Sequence, residues 1–224
     1  ITAFTDAVQA AGVLKLDVKE LGVDMMSFSA HKFYGPKGVG VLYIKSGVRL
    51  DSIVTGGHQE RMKRGGTTNV PAIVGMAEAF RLANEHMEEN ARYVTALRER
   101  FINGIFARVP HVRLNGHRTR RLPANADFSF EYIEGEGILF HLDLAGISVS
   151  SGSACSSGSL EPSHVLLALG VPVELAHGSI RFTFGPDNTE EEIDYAIDVV
   201  EKTVKNLRAM SPLFKTEEGE KEYV

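Results

Sequence analysis

The stretch Met25-Met26-Ser27-Phe28-Ser29-Ala30-His31-Lys32-Phe33-Tyr34-Gly35-Pro36-Lys37-Gly38-Val39-Gly40-Val41-Leu42-Tyr43-Ile44 carries two apolar runs, Met25 to Ala30 and Val39 to Ile44, separated by polar and turn residues. The Gly35-Pro36-Lys37-Gly38 turn is too tight for a crossover helix, so the two runs read as antiparallel neighbouring strands. Upstream, Ile1 to Phe4 is a further strand-like run and Ala7 to Gly12 a helical stretch, which makes the region α/β. Asp6 and the pair His31-Lys32 then fall just past the ends of two strands, where ligands bind in α/β sheets.

Downstream of Asn69 the period becomes helical. Ile73, Met76, Phe80, Ala83 and Met87 step by three or four with Pro71 near the start, and Val94, Leu97, Phe101 and Ile105 form a second stretch ending before Pro110. Val112 to Leu114, Ala126 to Phe130, Ile147 to Val149 and Ser179 to Phe184 read as strands, and Gly135 to Leu144 as a helix. A short helix is expected from Pro162 to Gly170. Thr189-Glu190-Glu191-Glu192 is a capping box that opens an amphipathic helix with Ile193, Ile197, Val200, Val204 and Leu207 on one face. These patterns predict one sheet-containing part over residues 1–88, a smaller α+β part over 89–212 with a loop at 150–160, and a polar tail over 213–224.

With 24 Lys and Arg against 29 Asp and Glu, the 224-residue chain has a formal charge of −5 and a pI near 5.9. That charge does not suit a chain that coats nucleic acid or anionic lipid. At 43% hydrophobic residues and a mean hydropathy of −0.07 the composition is that of a globular protein. No apolar run is long enough to span a membrane and the N-terminus carries no export pattern, so the expected location is the cytoplasm. The chain opens on strand-like residues without Met, as though a fold had been entered partway, and is expected to be one piece of a larger protein.

Four groups of residues could carry chemistry. Cys155, the single cysteine, lies in Ser150 to Ser159, a run of six Ser and two Gly. It is either incidental to a flexible linker or a presented thiol acting as nucleophile or sulfur carrier. Lys32 follows Ser29-Ala30-His31 in a mostly apolar stretch. It is either a solvated turn lysine or an amine whose surroundings let it attack carbonyls. Thr67, Thr68 and Asn69 precede a helix, a geometry that serves anion binding or simple capping. Arg181 interrupts an apolar strand, as a carboxylate clamp or half of an internal salt bridge. Gly35, Gly38 and Gly40 fit neither a Walker A loop nor GxGxxG, and the eight His show no metal-ligand spacing.

Five motifs in one order, Asp6-Ala7-Val8-Gln9; Ser29-Ala30-His31-Lys32 with Gly35-Pro36-Lys37-Gly38; Gly56-Gly57 through Arg64-Gly65-Gly66-Thr67; Ser151-Gly152-Ser153-Ala154-Cys155 running to Leu160-Glu161-Pro162-Ser163; and Ser179-Ile180-Arg181, resemble the pyridoxal-phosphate cysteine desulfurases of the NifS/IscS type. The long Ser-rich stretch resembles the subgroup whose catalytic cysteine rides on an extended loop.

The resemblance implies the C-terminal portion of a fold-type I pyridoxal-phosphate enzyme. It implies that Lys32 holds the cofactor as a Schiff base and shuttles the Cα proton, with His31 beside it among the catalytic side chains. Asp6 would pair with the pyridine nitrogen, Gln9 with the phenolic oxygen, and Ser29 and His31 with the phosphate. Thr67 would reach the cofactor phosphate of the other subunit of a homodimer. Arg181 would clamp the carboxylate of L-cysteine, and Cys155 would take its sulfur as a persulfide, releasing alanine. An iron–sulfur scaffold or another sulfur-acceptor protein would receive it. The family's N-terminal part has no counterpart here, so another segment or chain is expected to complete the site. The alternatives are a selenocysteine lyase or class V aminotransferase that uses Lys32 without this sulfur chemistry, and a silent fragment or assembly subunit.

Overall fold

A computed structural model describes residues 1–151 and 162–214. The chain divides into two compact units, Ile1–Ala91 and Arg92–Val224.

The first unit is built on a three-stranded sheet in the order β1 (Phe4–Asp6), β2 (Met25–Ser29), β3 (Gly40–Ile44). β1 and β2 are parallel, with Asp6 opposite Ser27, and β2 and β3 are antiparallel, with Ser29 opposite Gly40. A Cβ on Gly40 would stand 2.8 Å from the Phe28 carbonyl oxygen, so the strand pairing needs glycine at that position. Ala7 to Gly12, expected as a helix, is a run of turns closed by bonds such as Ala11 N–H to Ala7 O and Leu14 N–H to Ala10 O, broken from helical geometry at Gly12, whose φ is +76°. One turn does not repay helix nucleation. Between β2 and β3 a 3₁₀ turn, η1 (Ala30–Phe33), buries Ala30 and Phe33. After a loop holding the single turn α1 (Gln59–Met62), with left-handed Glu60, Arg61 and Met62, comes α2 (Val70–Glu85). Phe80 of α2 meets Phe28 and Phe33, each at 5.4 Å between ring centroids, and this aromatic trio is the centre of the unit's small core.

The second unit carries most of α3 (Met87–Arg108) and an antiparallel sheet in the order β4 (Val112–Leu114), β5 (Asn125–Phe130), β7 (Ser179–Thr183), β6 (Ser150–Ser151). Ala126, Phe128, Phe130, Ile180 and Phe182 alternate onto one face of that sheet. There they pack with Leu97, Phe101 and Ile105 of α3, Ile138 and Leu142 of α4 (Gly135–Leu144), and Ile193, Ile197, Val200 and Val204 of α7 (Glu190–Met210). The capping box forms as expected: Thr189 Oγ1 accepts from the Glu192 N–H, and Glu192 accepts from the Thr189 N–H. The expected strand Ile147 to Val149 does not form. Its apolar side chains pack on the core, and the ladder with β7 begins at Ser150. The expected helix over 162–170 is shorter, α5 (His164–Ala168), and a further turn of helix, α6 (Val173–His177), comes after Pro172. Phe214, assigned to the polar tail on sequence, packs against Tyr132 and His111, with the Arg208 guanidinium 5.5 Å from its ring centroid.

Candidate active site

The carboxyl ends of β1 and β2 are neighbours because the strands are parallel, so the residues just beyond each strand emerge at the same edge of the sheet. At the end of β1 stands Asp6, whose Oδ1 accepts from the Val8 N–H at 2.9 Å and so fixes the turn that carries Gln9. Asp6 and Gln9 are both exposed. At the end of β2 come Ser29, His31 and Lys32. The Ser29 hydroxyl and His31 Nδ1 are hydrogen-bonded at 2.9 Å.

The 3₁₀ turn explains how Lys32 is presented. Three residues per turn put Ala30 and Phe33 on one side, both buried, and leave His31 and Lys32 on the outer side. Tyr34 closes the turn at φ +66° and the Gly35 N–H returns to the Ala30 carbonyl at 2.9 Å. Of the two settings the sequence allowed for Lys32, the structure gives the exposed turn and not apolar surroundings: the apolar neighbours in sequence are the anchors facing the other way. Ser29 and His31 also border an open groove against the Lys37–Gly40 turn.

Thr67 is exposed on the loop before α2. Of the three residues considered there for an anion, Asn69 is used as a cap: its Oδ1 accepts from the Ala72 N–H. Arg181 belongs to the second unit, half-buried on β7. Cys155 and most of its loop lie outside the described residues. The structure therefore brings Asp6, Gln9, Ser29, His31 and Lys32 to one sheet edge.

A carboxylate for a protonated ring nitrogen, an amide, a hydroxyl–imidazole pair for a phosphate and a primary amine make a donor set that fits pyridoxal 5'-phosphate. Sequence reading missed Asp127, the acidic residue opposite Arg181 in the β5–β7 register. The signal was available: each of two apolar strands carries one charge, of opposite sign.

The chain is 55% identical over 208 residues to "Cysteine desulfurase IscS" from Dictyoglomus turgidum, covering 93% of this chain and 53% of that protein. A solved structure described as a NifS-like protein superposes with a TM-score of 0.83 at 38% identity, over 92% of this chain and 53% of the other. A NifS-like protein from Rickettsia africae gives 0.83 at 30% identity, over 91% and 54%. The chain spans about half the length of the relatives it matches. Among the described residues no helix is long and apolar enough to cross a membrane. Residues 1–196 match the aminotransferase class-V family, and the chain belongs to that family of pyridoxal-phosphate enzymes, with the α/β architecture of fold-type I.

Proposed function

We propose that this chain serves a cysteine desulfurase, converting L-cysteine to L-alanine and passing the sulfur through a persulfide on Cys155 to an acceptor protein for iron–sulfur cluster assembly. The observation that carries the reading is the gathering of Asp6, Ser29, His31 and Lys32 at the carboxyl edge of β1 and β2, in a chain 55% identical to a cysteine desulfurase.

In this reading Lys32 holds the cofactor and moves the substrate's Cα proton, Asp6 keeps the ring nitrogen protonated, Gln9 meets the phenolic oxygen, and Ser29 with His31 binds the phosphate. The bound cofactor supplies an electron sink for the pair left on Cα. Arg181 receives the substrate carboxylate. The Cys155 thiolate attacks the substrate sulfur: an S–S bond forms and the C–S bond breaks. The released pair goes to carbon and is protonated, so thiol plus cysteine gives persulfide plus alanine with no external oxidant. The Ser- and Gly-rich sequence around Cys155 suits a thiol that must reach both substrate and acceptor. Such a thiol stays reduced in the cytoplasm.

We infer a homodimer in which Thr67 meets the partner's cofactor phosphate. Its support is the exposed apolar surface flanking Thr67, with Ile53 at 95% exposure and Val54, Met62, Val70 and Val74 also open. Residues from an N-terminal segment or chain complete the cradle.

The test is alanine formation from L-cysteine by the full-length protein with added pyridoxal phosphate. Cys155→Ala is expected to abolish sulfide release and leave the cofactor spectrum intact. Alanine and sulfide at the wild-type rate from Cys155→Ala would favour a lyase or aminotransferase that uses Lys32 alone, and no turnover by the wild type would favour an assembly subunit.

A further inference from the structure

The β5–β7–β6 register aligns Ser150, Arg181 and Asp127 in one row, and the row continues to Asn115, whose N–H donates to the Asp127 carbonyl at 2.8 Å just past β4. Directly opposed residues of antiparallel strands share a face, and the flanking Phe128, Ile180 and Phe182 are in the core, so this row lies on the other face of the sheet. Arg181 sits between Asp127 on one side and Ser150, the first residue of β6, on the other.

Asp127 is a built feature. Asn115, itself 4% exposed, donates its amide to Asp127 Oδ1 at 2.6 Å and to the buried Ser129 hydroxyl at 2.9 Å. Two guanidinium groups act on the carboxylate electrostatically, those of Arg181 and Arg121. Arg121 is committed elsewhere: its nitrogens donate to the carbonyls of His117, Asn115 and Asn125. Arg181 closes no ion pair among the described residues, so the pair it forms with Asp127 is one of proximity and not a closed salt bridge. Partial burial is a cost for a carboxylate held by a neutral amide and by no closed ion pair, as the upward push on the Asp127 carboxyl reflects. A charge kept at that cost, fixed by an amide and next in the row to a cation with donors to spare, is suited to orienting that cation.

We propose that Asp127, held by Asn115, is a positioning residue that orients the Arg181 guanidinium for bidentate capture of the substrate carboxylate. The proposal rests on the reading of Arg181 as the carboxylate clamp. A guanidinium on a flexible stem loses less entropy on binding when its fork is already aimed.

The experiment uses the full-length holoenzyme with Cys155→Ala, so that binding is read from the cofactor spectrum without sulfur transfer. Two probes are titrated: L-cysteine, and 2-aminoethanethiol, which keeps the amine and thiol and lacks the carboxylate. Arg181→Ala is expected to abolish the preference for L-cysteine. Asp127→Asn, of the same shape and without charge, is expected to reduce that preference about tenfold while leaving affinity for 2-aminoethanethiol within about twofold. Asn115→Ser keeps the charge, withdraws the amide that holds it, and is expected to reduce the same preference partway; it decides the matter if Asp127→Asn does not fold. Collapse in Arg181→Ala with no change in the other two variants overturns the role of Asp127 and leaves the clamp standing. An equal loss of both probes in Asp127→Asn marks a structural residue and also overturns it. An unchanged preference in Arg181→Ala overturns the clamp and the proposal together.

Discussion

The unit Arg92–Val224 gathers sixteen buried apolar side chains into one cluster, whereas the main cluster of Ile1–Ala91 holds Ala11, Ala30 and Phe33. The first unit leaves apolar side chains open along its loop and helix, from Ile53 to Val74, as the second does at Phe140, Leu144 and Met210, so the contrast lies in the size of the buried cluster. Yet it is the first unit that assembles the candidate cofactor cradle. One unit is a folding core that displays a polar row, and the other is a platform whose few buried residues aim a lysine. Truncating a core residue should therefore register as stability in the second unit and as function in the first.

Phe101→Ala breaks the comparison hardest. Phe101 is fully buried and meets Phe128, Phe182 and Phe184, so its loss is expected to cost about 3–5 kcal/mol in denaturant unfolding of the full-length protein. Phe33→Ala, equally a buried ring, is expected to cost toward the low end of ~3 to 5 kcal/mol because its cluster is smaller. It should lower alanine production more than Phe101→Ala does in the protein that remains folded, because Phe33 anchors the turn presenting Lys32. Equal activity losses per folded molecule would dissolve the contrast between the units. Thr189→Ala removes one arm of the capping box and is expected to cost about 1 kcal/mol without a change in catalysis.

Electrostatics sharpens the contrast within the second unit. Half-buried Asp127 is pushed above its ordinary value of 3.8, chiefly by loss of water, against the pull of Asn115, Arg181 and Arg121. A carboxyl whose folded value is raised contributes most stability below its unfolded value and loses it as pH rises through the folded value. Asp127→Asn is thus expected to melt at neutral pH at or above the wild-type temperature, with the difference gone in acid, while carboxylate preference falls. On the surface the sign reverses. Arg100 holds Asp194 below its ordinary 3.8 by hydrogen bonds at 2.7 Å, so that contribution is present above the unfolded value and lost as pH falls through the folded one. Arg100→Ala and Arg108→Ala, which remove guanidiniums bridging α3 to acids of α7, are expected to give the smallest change in melting temperature. That change should vanish at about 1 M salt, where screening acts over about 3 Å.

How far the sequence reached depended on whether a local rule was sufficient. The Thr189 box, the Gly135 to Leu144 helix and the antiparallel turn at Gly35 to Gly38 are local and legible. Ile147 and Val149 carry strand-like alternation, but alternation reports burial, and the neighbouring strand pairs only from Ser150. The sequence left the setting of Lys32 open between two readings, because its apolar neighbours point away from it in a three-residue turn. The row Ser150, Arg181, Asp127, Asn115 joins four separate segments, and only register reveals it.

The most direct test of the account is mass spectrometry of the peptide containing Cys155 after the full-length holoenzyme meets one equivalent of L-cysteine. The account predicts that this peptide gains one sulfur atom in the wild type and not in Lys32→Ala, with alanine released in equal amount. Alanine released while Cys155 stays unmodified, or Cys155 gaining sulfur without Lys32, would contradict it.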